Sequence, residues 1–174
     1  RVDYKRGKLQ LEDIIRTELD AAPRALRFSK DGKYCYILNE QTNTIEVYTY
    51  EVKGDEPVFN QIQVAFVMDE DFVTAASSNL GLSWDDAYIY VAIDGLNGVT
   101  CMERNAKDGT LKYRSNTLIS GDYPKTIAVL PGNKFYVVLN HMSYIFPNIA
   151  VHLNYQYQIV YNVLSFLQNN QVFL

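Results

Sequence analysis

Two charged residues carry the first hint of chemistry. Arg24 sits directly behind Pro23 at the head of a strand-like run, and Glu40 sits behind Asn39 at the tail of the next one. A carboxylate can take a proton from water, and a guanidinium fork can hold an anion or a developing oxyanion in bidentate fashion. Lys125 and His141 stand in the same relation to a later pair of runs, Lys125 behind Pro124 and His141 behind Asn140. Such a set can combine a base, Glu40, with a cationic clamp, Arg24 and Lys125, and a further ligand contact, His141. The same residue types are equally ordinary as solvated loop charges, so the elements that position them must decide.

Those elements recur. PRALRFSKDGKYCYILNE at 23–40 aligns without a gap to PKTIAVLPGNKFYVVLNH at 124–141, placing Pro23 on Pro124, Lys33 on Lys134, Leu38 on Leu139 and Asn39 on Asn140. A third copy, SNLGLSWDDAYIYVAID at 78–94, answers Ser29, Asp31, Tyr34 and Tyr36 with Ser83, Asp85, Tyr88 and Tyr90. Downstream, 43–66 and 97–118 both read strand, charged turn, strand, and 2–19 is the same half-unit. Each unit therefore holds four short strands, joined by Gly-bearing turns that need a positive φ.

Antiparallel quartets recurring every ~45 to 55 residues are the signature of β-propeller blades. The expected fold is all-β, an incomplete propeller of three to four blades. Residues 1–19 end one blade, 20–68 and 75–119 form two more, and 122–174 form a divergent last one. In a blade the first strand lies innermost. Arg24 and Lys125, like Glu40 and His141, thus occupy matching places facing a common axis.

Bulk properties narrow the function classes. A chain of 174 residues with 48% hydrophobic and 21% charged residues suits one globular domain, and 13% aromatic residues suit pleated, half-buried strands. A net charge of -4 and a pI near 5.1 leave no basic stripe, so nucleic acid is not an expected partner. No apolar run is long enough for a membrane helix, no signal-peptide core is present, and the expected compartment is the cytoplasm. Cys35 and Cys101 show no CxxC or His clustering, which points to reduced core thiols rather than a disulfide framework or zinc site. No metal and no cofactor are expected. Asp69, Glu70 and Asp71 read as a solvated acidic loop without a calcium-ligand ladder, His152 as a polar strand residue, and the Trp84–Asp85 pair as part of a hairpin turn.

Two features concern the extent of the chain. It starts with Arg1 rather than Met and holds about three and a half units, whereas rings close on about 4 to 8 blades. Part of a ring is expected, as a fragment, as a truncated product, or as one of two copies that complete it. From Phe135 to Leu174 there is no Asp, Glu, Lys, Arg or Gly. That segment reads either as divergent buried strands, such as IAVHL, or as an abnormal tail. An uncharged β-prone run of this kind would self-associate through an open blade edge.

The phrase PRALRFSKDGKYCYILNEQTNTIEVYTY resembles the propeller lactonases of the 6-phosphogluconolactonase type. That group, which includes carboxy-muconate lactonising enzymes, has a Gly-Pro-Arg-His-like opening, a Phe-x-Pro-Asp-Gly-Lys-Tyr-like turn and a strand ending in Asn-Glu. The stretches from Ser77 and from Gly121 look like its next two blades, so the resemblance spans about residues 2–141. It implies a seven-bladed propeller that hydrolyses a sugar-acid lactone in its central channel, as a carboxylic ester hydrolase of carbohydrate metabolism and the pentose phosphate pathway. A small lactone or sugar phosphate would be its partner. Arg24 matches the Arg of the opening motif and Glu40 the strand-end acid. The chain departs from the pattern at Ala25, where the family has His, at Lys125, where it has Arg, and at Ile93–Asp94, where it has Asn-Arg. The alternatives are a noncatalytic binding propeller and a carboxy-muconate cyclase-like lactonising enzyme.

Overall fold

The computed structural model describes residues 1–68 and 75–142 and the strand backbones 149–153 and 161–162, with side chains through His141. Asp69, Glu70 and Asp71 and the side chain of His152 lie outside the described residues. A leading hairpin pairs β1 (Val2–Asp3) with β2 (Lys8–Leu9). Three antiparallel four-stranded sheets follow, each in simple sequence order. The first blade is β3 (Pro23–Phe28), β4 (Tyr34–Asn39), β5 (Thr44–Lys53) and β6 (Glu56–Phe66). The second is β7 (Ala76–Leu82), β8 (Tyr88–Asp94), β9 (Gly98–Arg104) and β10 (Leu111–Leu118). The third is β11 (Asp122–Val129), β12 (Phe135–Met142), β13 (Ile149–Leu153) and β14 (Tyr161–Asn162).

The sequence opening at 2–19 is weaker than its half-unit pattern suggests. Its strands are two residues each, and Tyr4, Leu9, Leu11 and Leu19 are exposed, because an isolated two-stranded ribbon offers no surface to bury them.

The core lies between blades. Period-2 alternation sends Tyr36, Leu38, Ile45 and Val47 to the face of the first blade that meets Leu80, Ile89, Val91 and Ile93 of the second. The opposite face of the second blade offers Tyr90, Ala92 and Val99 to Ile127, Tyr136 and Val138 of the third. The middle strands are therefore buried on both faces and read as near-continuous apolar runs. Leu80 is fully enclosed at the first of these seams, and its truncation to Ala would cost about 2–5 kcal/mol. At the inner side, β3 touches β7 and β7 touches β11, so the first strands of successive blades stand side by side. On the outer edge strand β6, Ile62, Val64 and Phe66 stay exposed.

The closed ends of the β3–β4 and β7–β8 hairpins share one device. Ser29 Oγ donates to Asp31 Oδ1 at 2.6 Å and accepts the Tyr34 N–H at 3.0 Å. Ser83 Oγ does the same with Asp85 at 2.6 Å and Tyr88 at 2.9 Å. The matching left-handed residues of these turns are Gly32 (φ 69), Asp86 (φ 63) and Asn133 (φ 57), types that tolerate this region, and the third turn adds Gly132 (φ 88).

A buried network locks the first two blades at this end. Arg104 Nε donates to Tyr36 Oη at 2.6 Å, Tyr36 Oη donates to the Gly109 carbonyl at 3.1 Å, and the guanidinium lies 5.2 Å from the Tyr34 ring. Arg104 Nη1 also donates to the Asp86 carbonyl at 3.3 Å, and Asp86 Oδ2 accepts the Lys30 N–H at 2.8 Å. Gly109, at φ 75, presses its backbone against the Tyr34 ring, where a Cβ has no room. Trp84 links the next seam, its N–H meeting Asn133 Oδ1 at 2.5 Å and its Nε1 the Val129 carbonyl at 3.0 Å.

Candidate active site

The opposite, open end of the hairpins carries the charges. In each blade the ladder between the first and second strands slips at one place: between Pro23 and Ala25, between Ser77 and Asn79, and between Pro124 and Thr126. The extra residue is Arg24, Ser78 or Lys125. A bulge re-aims the side chain it carries, and bulges are over-represented beside active sites. The backbone leading into two of them is strained, since Ala22 (φ 54) and Tyr123 (φ 55) are non-glycine residues in the left-handed region. Glu40 helps hold that conformation, its N–H donating to the Ala22 carbonyl at 2.9 Å.

Arg24 and Glu40 meet. Arg24 Nη1 donates to Glu40 Oε2 at 2.7 Å, with side chains 41% and 23% exposed, so the pair is fixed in orientation yet open to a small ligand. Both belong to one hairpin, in which Pro23 stands opposite Asn39. The strand under Glu40 is anchored from behind. Asn39 Nδ2 donates to Thr44 Oγ1 at 3.2 Å and to buried Glu46 Oε1 at 2.8 Å, while Glu46 Oε2 accepts from Tyr48 Oη at 2.5 Å and from Gln61 at 3.1 Å. Burial and the neighbouring carboxylate push the Tyr48 hydroxyl far up from its ordinary value.

Lys125 occupies the matching bulge but does not join Arg24. Its Nζ is ion-paired with Asp94 Oδ2 of the preceding blade. Asp94 is the strand-end residue that answers Glu40, so the acid of one blade holds the base of the next. The equivalent residue after Glu40 is Ser78, a neutral residue whose buried Oγ hydrogen-bonds the carbonyls of Ala92 at 3.1 Å and of Pro124. Glu40 thus takes its partner from its own blade. His141 is exposed at the end of β12, and its side chain makes no hydrogen bond or ion pair among the described residues. Asp94 entered the sequence reading only as a departure from a pattern. The signal that marks it is the internal repeat, in which it falls on the Glu40 position.

Asparagines clasp the seams at this end. Asn43 (φ 51) donates to the Ala75 carbonyl at 2.9 Å and accepts from Ser77 Oγ at 2.8 Å. Asn97 (φ 51) donates to Asp122 at 2.7 Å and accepts the Tyr123 N–H at 3.0 Å. Each clasp ties a second-strand end to the start of the next blade, which sets Asp94 beside Lys125. Cys35 is buried and Cys101 half-buried, both as free thiols, and burial raises each to about 11. Neither lies at the rim. No cluster of metal-ligating side chains is found among the described residues.

Comparison with known proteins agrees with this architecture. The family model described as "Lactonase, 7-bladed beta-propeller" matches residues 1–151. The chain belongs to that lactonase family. Among curated relatives, the 6-phosphogluconolactonase of Bacillus subtilis (strain 168) is 27% identical over 121 residues, 69% of this chain and 34% of the relative. The uncharacterized protein YwcC of Lactococcus lactis subsp. lactis is 31% identical over 121 residues, 68% of this chain and 35% of the relative. Among solved structures, a Lactobacillus plantarum protein superposes with a TM-score of 0.76 at 25% identity, covering 84% of this chain and 42% of that one. The periplasmic gluconolactonase PpgL of Pseudomonas aeruginosa shares the fold with a TM-score of 0.75 at 23% identity, covering 85% of this chain and 41% of that one. The chain thus spans about a third of the length of these curated relatives. No described helix is long and apolar enough to cross a membrane.

Proposed function

We propose that this chain hydrolyses a sugar-acid lactone at the rim where Arg24 and Glu40 meet, in the mouth of a propeller channel. The observation that carries the proposal is their 2.7 Å contact at the open end of the innermost strands. Glu40 takes a proton from a water molecule whose oxygen adds to the lactone carbonyl carbon. Arg24 donates to the carbonyl oxygen as it becomes an oxyanion. The ring C–O bond then breaks, the ring oxygen leaves as a hydroxyl on taking the proton back from Glu40, and the product is the open hydroxy acid. General-base and oxyanion contributions of ~10²-fold or more each make the pair sufficient for substantial acceleration. The 6-phosphogluconolactonases among the relatives support this reaction class. A place in carbohydrate metabolism, in the cytoplasm, is part of the same proposal.

Hydrolysis of gluconolactone and 6-phosphogluconolactone by the full chain tests it, with Glu40→Gln expected to remove ~10²-fold or more of the rate. An equal rate in the variant would take Glu40 out of the mechanism. A binding-only propeller is favoured by one observation, that Ala25 stands at the position where the resembling lactonases carry His. Saturable binding of a lactone without turnover would establish that alternative. Self-association through an open blade edge is read by sedimentation, where a monomer at all concentrations would end it.

A further inference from the structure

We infer that Asp94 is a specificity-determining residue that cancels the charge of Lys125 and turns the rim toward an uncharged lactone rather than its phosphate ester. The inference rests on the lactonase reading for the nature of the substrate, but its physical content is independent of turnover. Arg24 and Lys125 are the cations at the two occupied bulges, and each is matched by a strand-end carboxylate, Glu40 for the first and Asp94 for the second. Within these two pairs each positive charge is matched by a negative one.

The second pair is the more enclosed on its acidic side. The Asp94 side chain is 14% exposed and Lys125 36%, so the lysine faces outward over a carboxylate that water screens poorly. Asp94 is also held in place, because the Asn97 clasp fixes the adjoining turn to Asp122 and Tyr123. A phosphate dianion approaching Lys125 therefore meets the largely buried Asp94 carboxylate already paired with it. A neutral sugar ring meets no such repulsion, and its hydroxyls can share the hydrogen-bonding capacity of both groups. The matching position in the first blade shows the contrast, since Glu40 is left to Arg24 and the catalytic pair forms within one hairpin.

Calorimetric titration with inorganic phosphate tests the inference on the wild-type chain, Asp94→Asn, Asp94→Glu and Asp94→Asn combined with Lys125→Met. Asp94→Asn is expected to bind phosphate about tenfold more tightly, Asp94→Glu to match the wild type, and the double variant to lose the gain. In parallel, the kcat/KM ratio of 6-phosphogluconolactone to gluconolactone is expected to rise by a similar factor in Asp94→Asn. Unchanged or weaker phosphate binding by a folded Asp94→Asn chain overturns the inference. So does submillimolar phosphate binding by the wild type, which needs no variant. A gain in phosphate affinity without hydrolysis of either lactone upholds the charge role of Asp94 and instead defeats the lactonase reading.

Discussion

At the rim, Ala22 and Tyr123 hold left-handed φ values of 54 and 55, and the charges of Arg24, Glu40 and Lys125 stay within reach of water. At the opposite end of the same hairpins, Arg104 and Tyr36 are sealed between blades, and the Ser29–Asp31 and Ser83–Asp85 turns repeat almost atom for atom. One pair of strands thus has an end that exposes charge and an end that is sealed between blades and extensively hydrogen-bonded. The difference follows from connectivity. The closed end must make a tight turn, which admits few solutions, whereas the open end joins successive blades and can vary. Function is expected at the rim and stability at the turns.

Separating the two ends by mutation tests that division. The largest effect belongs to Glu40→Gln, expected to lower lactone hydrolysis by ~10²–10⁴-fold while leaving the thermal melt in place. A variant that melts early instead would make Glu40 structural. Arg104→Met should do the reverse, losing about 3 kcal/mol in denaturant unfolding because it strips the partner from a buried polar network, with the rate per folded molecule retained.

Alkali should act on the buried side too. Burial pushes the Tyr36 hydroxyl from 10.0 up to about 12 despite the Arg104 hydrogen bond. Its neutral form is therefore favoured in the folded state, and the stability it contributes is complete below pH 10 and lost as pH rises toward 12. Tyr36→Phe should flatten that loss in pH-dependent melting, and an unaltered alkaline limb would point to the Cys35 and Cys101 thiols instead. Ala22→Gly sharpens the contrast from the other side, since relieving a left-handed alanine should add ~1 kcal/mol. No gain would mean that the rim is not strained.

The smallest effect lies in acid. Hydrogen bonds from Ser29 and Ser83 hold the Asp31 and Asp85 carboxyls below 3.8, so their contribution is present above that pH and fades as pH falls below it. Both are largely exposed, so Asp85→Asn should change the acid limb only slightly. A large change would show that the turns dominate stability.

The repeat of 23–40 in 124–141 made the blade hairpins legible, because strand alternation and turn chemistry are local properties. The Arg24–Glu40 contact was legible for the same reason, both residues lying on one hairpin. The Lys125 clamp was legible only as a position. Its partner Asp94 lies on another blade, where pairing depends on how two sheets dock. Arg104 gave no signal at all, since an arginine at a strand end looks solvated until a neighbouring sheet covers it.

The internal repeat alone specified the order of strands, the Gly-bearing hairpin turns and the matching strand-end positions that carry charge. Hydrogen-bonded register and side-chain alternation reach only a few residues along the chain, so local pattern specifies them. Which carboxylate neutralises which cation was decided by tertiary structure alone, because Coulombic pairing follows distance in space, and blade docking sets that distance.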